Sequence, residues 1–165
     1  MKSYLICKMS IEKLIDNLNE LFKFLDTTYY INSGGCCYVA YLIAREFDKR
    51  LITGYSLRIY NESYVLDEDE TLYNINNDRD EFPIHSETCA HYAIKCKNII
   101  INSCYEEDSD VEYIDIDNID SELIKEIYDK GEWNSDYDIN NSIYIERFIK
   151  IIFNQYDTEN FKVEM

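Results

Sequence analysis

The chain is organised around residues 32–44, which read Asn32-Ser33-Gly34-Gly35-Cys36-Cys37-Tyr38-Val39-Ala40-Tyr41-Leu42-Ile43-Ala44. The two glycines give the backbone the freedom for a tight turn. After Cys36 the apolar residues recur at the spacing of one helical face: Ala40, Ile43, Ala44 and Phe47. The pattern predicts a central, buried helix from about Cys36 to Lys49.

Cys36 is expected to open this helix. The unpaired N–H groups and the dipole at a helix start favour a thiolate, which is how a cysteine nucleophile is usually prepared. The alternative is a glycine turn before a core helix, with Cys36 and Cys37 acting as small buried hydrophobes. The stretch alone supports both interpretations equally, so a partner histidine has to discriminate between them.

Length and composition limit the classes of protein. The 165 residues, 46% of them hydrophobic, predict a single domain over residues 1–165 with a substantial core. The 16 Lys and Arg against 33 Asp and Glu give a net charge of −17. This charge argues against binding nucleic-acid phosphates and against binding anionic membranes. A basic partner, or imitation of nucleic-acid charge, stays open.

The six cysteines are expected to be reduced thiols. The apolar run near the start, Tyr4 to Cys7, is shorter than a signal peptide requires, and no apolar run has membrane-spanning length. We therefore expect a cytoplasmic protein, in the host cytoplasm if it is phage-encoded, and not a disulfide scaffold.

Hydrophobic periodicity predicts a helix, the central helix, a small antiparallel sheet and then further helices. Segregation of helices from strands indicates the α+β class. The predicted elements are a helix N-capped by Ser10, a loop over Thr27–Gly35, one or two strands within Leu51–Leu66, a hairpin within Thr88–Ser103, an edge strand at Val111–Ile116, a helix from N-cap Asp120 to Gly131, and a helix over Ser142–Gln155. Gly54 and residues 61–63 are expected to interrupt the Leu51–Leu66 stretch. Two acidic stretches, Asp67–Glu81 and Glu106–Glu122, are expected to include loops.

The hairpin predicts where a histidine would find its partner. With Lys97-Asn98 as a two-residue turn, His91 shares a face with Ala93 and Lys95, and Asn102 becomes its diagonal neighbour. Diagonal α-carbons lie about 7–8 Å apart, a gap that these side chains can close with a hydrogen bond. A turn of odd length would put the two residues on opposite faces.

A histidine held by an amide and facing a thiol is the Cys–His–Asn arrangement of a nucleophilic hydrolase. A strand histidine beside a turn is more often structural. The Gly-Gly-Cys helix start and Asn102 together favour a catalytic His91. The other histidine, His85, lies near Pro83 in a predicted loop and is interpreted as surface.

These residues resemble the papain-like cysteine peptidase superfamily, most closely its small bacterial and phage branch with a transglutaminase-like core. The resemblance is carried by Gly34-Gly35-Cys36 with Ala40, by His91-Tyr92-Ala93-Ile94 and by Ile101-Asn102-Ser103, and weakly by residues 133–138 before the last helix. It implies a nucleophile-bearing central helix packed on a small antiparallel sheet, with additional N- and C-terminal helices.

The resemblance implies Cys36 as nucleophile, His91 as general base and acid, and Asn102 as orienter. Papain-type enzymes place a Gln before the nucleophile for the oxyanion hole, and this chain has no Gln before Gln155. Asn32 is the candidate substitute, or the Cys36 N–H with another backbone donor. Gly35 and Cys37 flank the nucleophile and would line the site. Many small bacterial members carry Asp where this chain has Asn102.

The leading hypothesis is a cysteine peptidase or amidase that works through an acyl-enzyme without a metal or cofactor. Its substrate would be a peptide or protein, and a basic segment would suit the acidic stretches. The second is a non-catalytic acidic interaction protein on the same fold, a phage- or bacterium-encoded inhibitor or nucleic-acid mimic. A zinc site from Cys89, His91, Cys96 and Cys104 lacks the usual Cys-x-x-Cys spacing. Redox sensing by vicinal Cys36 and Cys37 is weaker still.

Overall fold

A computed structural model of the chain describes residues 9–31, 35–61, 91–101, 112–130 and 139–160. These residues form helices α1 (Ile11–Tyr29), α2 (Cys36–Lys49), α3 (Ser121–Lys130) and α4 (Ser142–Asn160), a 3-10 helix (Ile139–Asn141), and strands β1 (Ser56–Asn61), β2 (His91–Cys96), β3 (Ile99–Ile101) and β4 (Glu112–Ile116). The strands make one antiparallel sheet in the order β3-β2-β1-β4. The predicted α+β class is confirmed.

Helix α1 begins at the predicted N-cap. The Ser10 hydroxyl accepts a hydrogen bond of 3.1 Å from the Lys13 N–H, which satisfies one of the free donors at the helix start. Tyr30 ends the helix in the left-handed conformation, and its N–H donates to the Asp26 carbonyl. The apolar stripe of α1 packs into the core with five buried residues: Leu14, Ile15, Leu18, Phe22 and Leu25.

Helix α2 has the predicted bounds and is buried around most of its circumference. Its last turn is held against the start of β1. The Phe47 ring lies 5.6 Å from the Tyr55 ring, and the Tyr55 hydroxyl donates to Asp48 at 2.6 Å. Asp48 also accepts the Ser121 N–H at 2.9 Å, which joins the end of α2 to the start of α3.

The β2–β3 hairpin has the predicted two-residue turn. Lys97 and Asn98 both have positive φ, 49° and 62°, as a tight hairpin turn requires. Ile94 pairs with Ile101 and Cys96 with Ile99, which is the predicted register. Strand β4 lies at the edge of the sheet next to β1, as predicted from its sequence.

The two faces of the sheet have different surroundings. Because side chains alternate along a strand, one face carries Leu57, Ile59, Tyr92, Ile94, Cys96, Ile101 and Ile116, and all of these belong to the same apolar core as the buried residues of the four helices. The second face carries Arg58, Tyr60, His91, Lys95 and Asp115. Most of the described helix–sheet packing therefore lies on one side of the sheet.

Three element boundaries differ from the prediction. Strand β1 begins at Ser56, after the predicted interruption at Gly54, and the residues from Leu51 to Gly54 are not a strand because Leu51 and Gly54 adopt positive φ of 56° and 79°. Helix α1 extends past Thr27 to Tyr29, whose ring stacks on Tyr144. Helix α4 extends beyond Gln155 to Asn160. The predicted loop at Asp67–Glu81 lies outside the described residues.

Candidate active site

Cys36 is the first residue of α2. Gly35 precedes it in the N-cap position, and a glycine has no side chain that could cap the first N–H groups of the helix. The positive end of the helix dipole lies at this start and favours an anion there. Cys36 is 3% exposed and Cys37 is fully buried, and both belong to the apolar core. The predicted position of Cys36 at the start of the helix is confirmed.

Cys36 and His91 are the first residues of α2 and β2, two elements that pack against each other. Among the strands, β2 makes the most extensive contact with α2. The last turn of α2 contacts Tyr55, which directly precedes Ser56, and Ser56 pairs with Lys95 near the end of β2. The 14 residues of α2 and the 6 of β2 both span about 20 Å. From these contacts and lengths we infer that the start of α2 lies near the level of the start of β2.

His91 is the first residue of β2 and is 1% exposed. It pairs directly with Tyr60 on β1, and the two ring centroids are 5.6 Å apart with planes inclined by 40°. Tyr60 is also 1% exposed. The imidazole is therefore flanked by an aromatic ring on its β1 side.

Strand alternation places the His91 side chain on the second face of the sheet, with Tyr60. Its neighbour Tyr92 points to the opposite face and belongs to the same apolar core as Cys36. Cys36 and His91 are thus each the first residue of their element, but they lie on different sides of the sheet. A hydrogen bond between the Cys36 sulfur and the His91 imidazole therefore has to form beyond the first residue of β2, past the end of the strand.

A charged cluster continues the second face beyond Tyr60. Arg58 donates two hydrogen bonds to Asp115, at 2.6 and 2.8 Å, and Lys95 donates to the same carboxylate at 3.1 Å. The Tyr113 ring covers the Arg58 guanidinium, whose carbon lies 3.8 Å from the ring centroid. Burial opposes ionisation of Asp115, but the hydrogen bonds from Arg58 and Lys95 hold its pKa below its usual value.

The interactions of Arg58 reach Tyr60 as well as Asp115. Hydrogen bonding to Asp115 and Tyr60 holds the Arg58 pKa above its ordinary value, although burial acts in the other direction. The charged cluster around Arg58 and Asp115 was not predicted from the sequence. Its signal was the alternation of Ser56, Arg58 and Tyr60 with Leu57 and Ile59, which places a cation and a tyrosine on one face of β1.

Cys36, Cys37 and Cys96 are buried thiols in the described part of the chain, and none of the three forms a disulfide there. Burial raises the pKa of Cys96; the charge of Lys97 opposes this by a smaller amount, and the charge of Glu12 adds to it. In the described ranges no group of three or more His, Cys, Asp or Glu side chains is placed to hold a metal ion. Nor does any helix there have the length and apolar character needed to cross a membrane.

Several predicted site residues lie outside the described ranges. They are Asn32, Asn102 and His85, together with Cys89 and Cys104 of the zinc alternative. The predicted pairing of His91 with Asn102 thus stays a prediction. The register that carries it is confirmed for the last three residues of β2.

No family model, curated protein or solved structure matches this chain. The resemblance to papain-like peptidases therefore rests on the motifs around Cys36, His91 and Asn102.

Proposed function

We propose that the protein is a cysteine hydrolase with a papain-like core, in which Cys36 is the nucleophile and His91 the general base and acid. The observation that carries the proposal is that α2 and β2 pack against each other and that each begins with the residue that the chemistry needs. The position of Cys36 at the start of α2 supports it further, because the positive end of the helix dipole stabilises a thiolate there.

In this reaction His91 accepts the thiol proton, and the Cys36 sulfur attacks a carbonyl carbon of the substrate. The oxygen that becomes negative is stabilised by backbone N–H groups at the helix start, with Asn32 as a further donor. The imidazolium gives its proton to the leaving amine, which departs and leaves an acyl-enzyme. Water then hydrolyses the thioester, with His91 again as base and Asn102 holding the imidazole.

The net charge of the chain indicates the class of substrate. A chain of net charge −17 attracts cationic segments, so a peptide or protein amide beside basic residues is the expected substrate.

The placement of His91 on the second face of the sheet sets a geometric condition for this function. The imidazole has to extend past the first residue of β2 to meet the sulfur, rather than lie over the sheet. Both side chains are almost fully buried, with 3% exposure for Cys36 and 1% for His91. An active enzyme must therefore admit substrate at the common end of α2 and β2.

The proposal is tested by the rate of Cys36 alkylation with iodoacetamide as a function of pH, followed by peptide mass spectrometry. Wild type is compared with His91→Ala, with His85→Ala as the matched histidine control. We expect a midpoint below the free-cysteine value of about 8.5 that rises in His91→Ala alone. Cys96 is an internal control, because its burial in the core disfavours the thiolate. A Cys36 that titrates identically in all three proteins would contradict the proposal.

A second candidate is a non-catalytic acidic interaction protein on the same fold. The observation that favours it is strand alternation, which directs His91 away from the core that contains Cys36. In this case Cys36 is a small core residue, and the net charge of −17 recruits a basic partner. Slow alkylation of Cys36 that is independent of His91, together with salt-sensitive binding to a polylysine probe, supports this candidate over the enzyme.

A further inference from the structure

The Tyr60 ring on β1 lies beside the His91 ring. The two residues are direct register partners, and directly opposite side chains on antiparallel strands lie on the same face. Their ring centroids are 5.6 Å apart, and both residues are 1% exposed. The Tyr60 ring thus occupies the space into which the imidazole would move if it turned over the sheet toward β1.

Tyr60 is itself held in place from the far side. Arg58, two residues earlier, is the neighbour of Tyr60 on the same face of β1, and it makes two hydrogen bonds to Asp115, at 2.6 and 2.8 Å. An arginine bound through two parallel N–H groups has little freedom to move. A chain of contacts therefore runs from Asp115 on the edge strand through Arg58 and Tyr60 to His91.

We propose that Tyr60 is a positioning residue for His91: its ring, fixed by Arg58, keeps the imidazole at the end of β2 where α2 begins. This inference rests on the proposed hydrolase function and deepens it. Tyr60 acts on the base and not on the substrate. This role of Tyr60 keeps the imidazole beyond the start of β2, since an imidazole that turned toward β1 would lie over the sheet, away from Cys36.

The test compares Tyr60→Leu and Tyr60→Phe with Tyr55→Leu as the control. Tyr55 is a similarly buried tyrosine, 5% exposed, just before the other end of β1, where it contacts Phe47 and Asp48. Two readouts are taken on each folded protein: the pH profile of Cys36 alkylation by iodoacetamide, and the NMR titration of the His91 imidazole. With only two histidines in the chain, His85→Gln assigns the signals.

In the described part of the chain, the charged or titratable groups on the His91 face are Arg58, Tyr60, Lys95, Tyr113 and Asp115. Tyr60→Leu leaves the other four in place. We expect it to slow Cys36 alkylation at pH 7 by about tenfold or more, since small errors in the position of a base cost this much. Its pH profile should match that of His91→Ala, and Tyr55→Leu should keep the wild-type profile.

Tyr60→Phe keeps the ring, removes the contact with Arg58 and carries less risk of misfolding. It should show a smaller loss in the same direction. Wild-type alkylation profiles and wild-type His91 titrations in both Tyr60 variants would overturn the inference.

Failure of the hydrolase proposal can be told apart from failure of the positioning role of Tyr60. If His91→Ala leaves Cys36 alkylation unchanged, the hydrolase proposal fails whatever Tyr60 does. The NMR readout still decides the positioning role: a His91 titration midpoint that moves in Tyr60→Leu and not in Tyr55→Leu supports it, and an unmoved midpoint overturns it.

Discussion

At the scale of single residues, Glu46 is the most deeply buried carboxylate of the described ranges, with 3% exposure. Arg50 donates to it at 2.7 Å and binds Asp157 of α4 through two hydrogen bonds, both of 2.7 Å. The guanidinium also lies over the Phe153 ring, 4.8 Å from its centroid. Arg50 therefore joins the end of α2 to α4.

Arg50→Met should lower the free energy of unfolding by about 3 kcal/mol, because it leaves a buried carboxylate without its main partner. Lys49, whose ammonium lies 3.3 Å from Glu46, limits the loss. The measurement is urea unfolding followed by circular dichroism. The control is Lys23→Met, which removes an exposed pair with Glu20 and should cost less than about 1 kcal/mol. Equal losses in the two variants would contradict this role of Arg50.

At the scale of elements, the β2–β3 turn is a site where sequence and backbone disagree. Lys97 has φ 49°, a left-handed conformation that costs a residue with a side chain about 1–2 kcal/mol. Asparagine tolerates this conformation better than lysine does. Lys97→Asn should therefore raise the free energy of unfolding by about 0.5–1 kcal/mol, measured by urea unfolding. The exposed ion pair with Glu12 that is lost contributes little.

Asn98→Val is the opposite test in the same turn, because a β-branched residue is strained at φ 62°. It should destabilise by about 1–2 kcal/mol. A neutral result for Asn98→Val, or destabilisation by Lys97→Asn, would contradict the turn geometry.

The sequence predicted elements wherever local patterns dominate. The bounds of α2 followed from the apolar face that begins at Cys36, the N-cap of α1 from Ser10, and the hairpin register from the short turn at Lys97 and Asn98. The break before β1 was predicted from Gly54, whereas the positive φ of Leu51 leaves no clear signal in the sequence, so the residues before Gly54 were wrongly included in the strand region.

The candidate site was predictable in its positions along the chain but not in its orientation. Both faces of β2 are buried, from His91 to Ile94, so hydrophobicity does not tell which face meets the helices. That Tyr92 rather than His91 points into the core is decided by packing between distant elements. The Arg58–Asp115 ion pair could not be predicted either, because the two residues are 57 positions apart in sequence.

At the scale of the whole molecule, acid stability depends on carboxylates paired with arginine. Burial opposes ionisation of Glu46 and Asp115, but hydrogen bonds from Arg50 and Arg58 hold their pKa values below the ordinary 4.5 and 3.8. The hydrogen bond from Arg45 lowers the Glu146 pKa in the same way. A depressed pKa in the folded state contributes stability above the unfolded value, and this stability is lost as the pH falls through the folded value.

The thermal unfolding midpoint should therefore stay level or rise between pH 7 and pH 5, as partial protonation relieves the repulsion within a chain of net charge −17. It should then fall steeply below about pH 4.5, where the paired carboxylates begin to lose their charge. Circular dichroism across this range measures it. A midpoint that keeps rising below pH 4 would show that repulsion outweighs the ion pairs.

The central claim is that Cys36 and His91 act as a pair, and its most direct test is the NMR titration of His91 in wild type and in Cys36→Ala. A thiolate beside an imidazolium stabilises it, so loss of the sulfur should lower the His91 midpoint. Coupling is reciprocal, so this shift should equal the rise in the Cys36 midpoint caused by His91→Ala. An identical His91 titration in the two proteins would show that the residues do not interact, and the chain would then be studied as a binding protein.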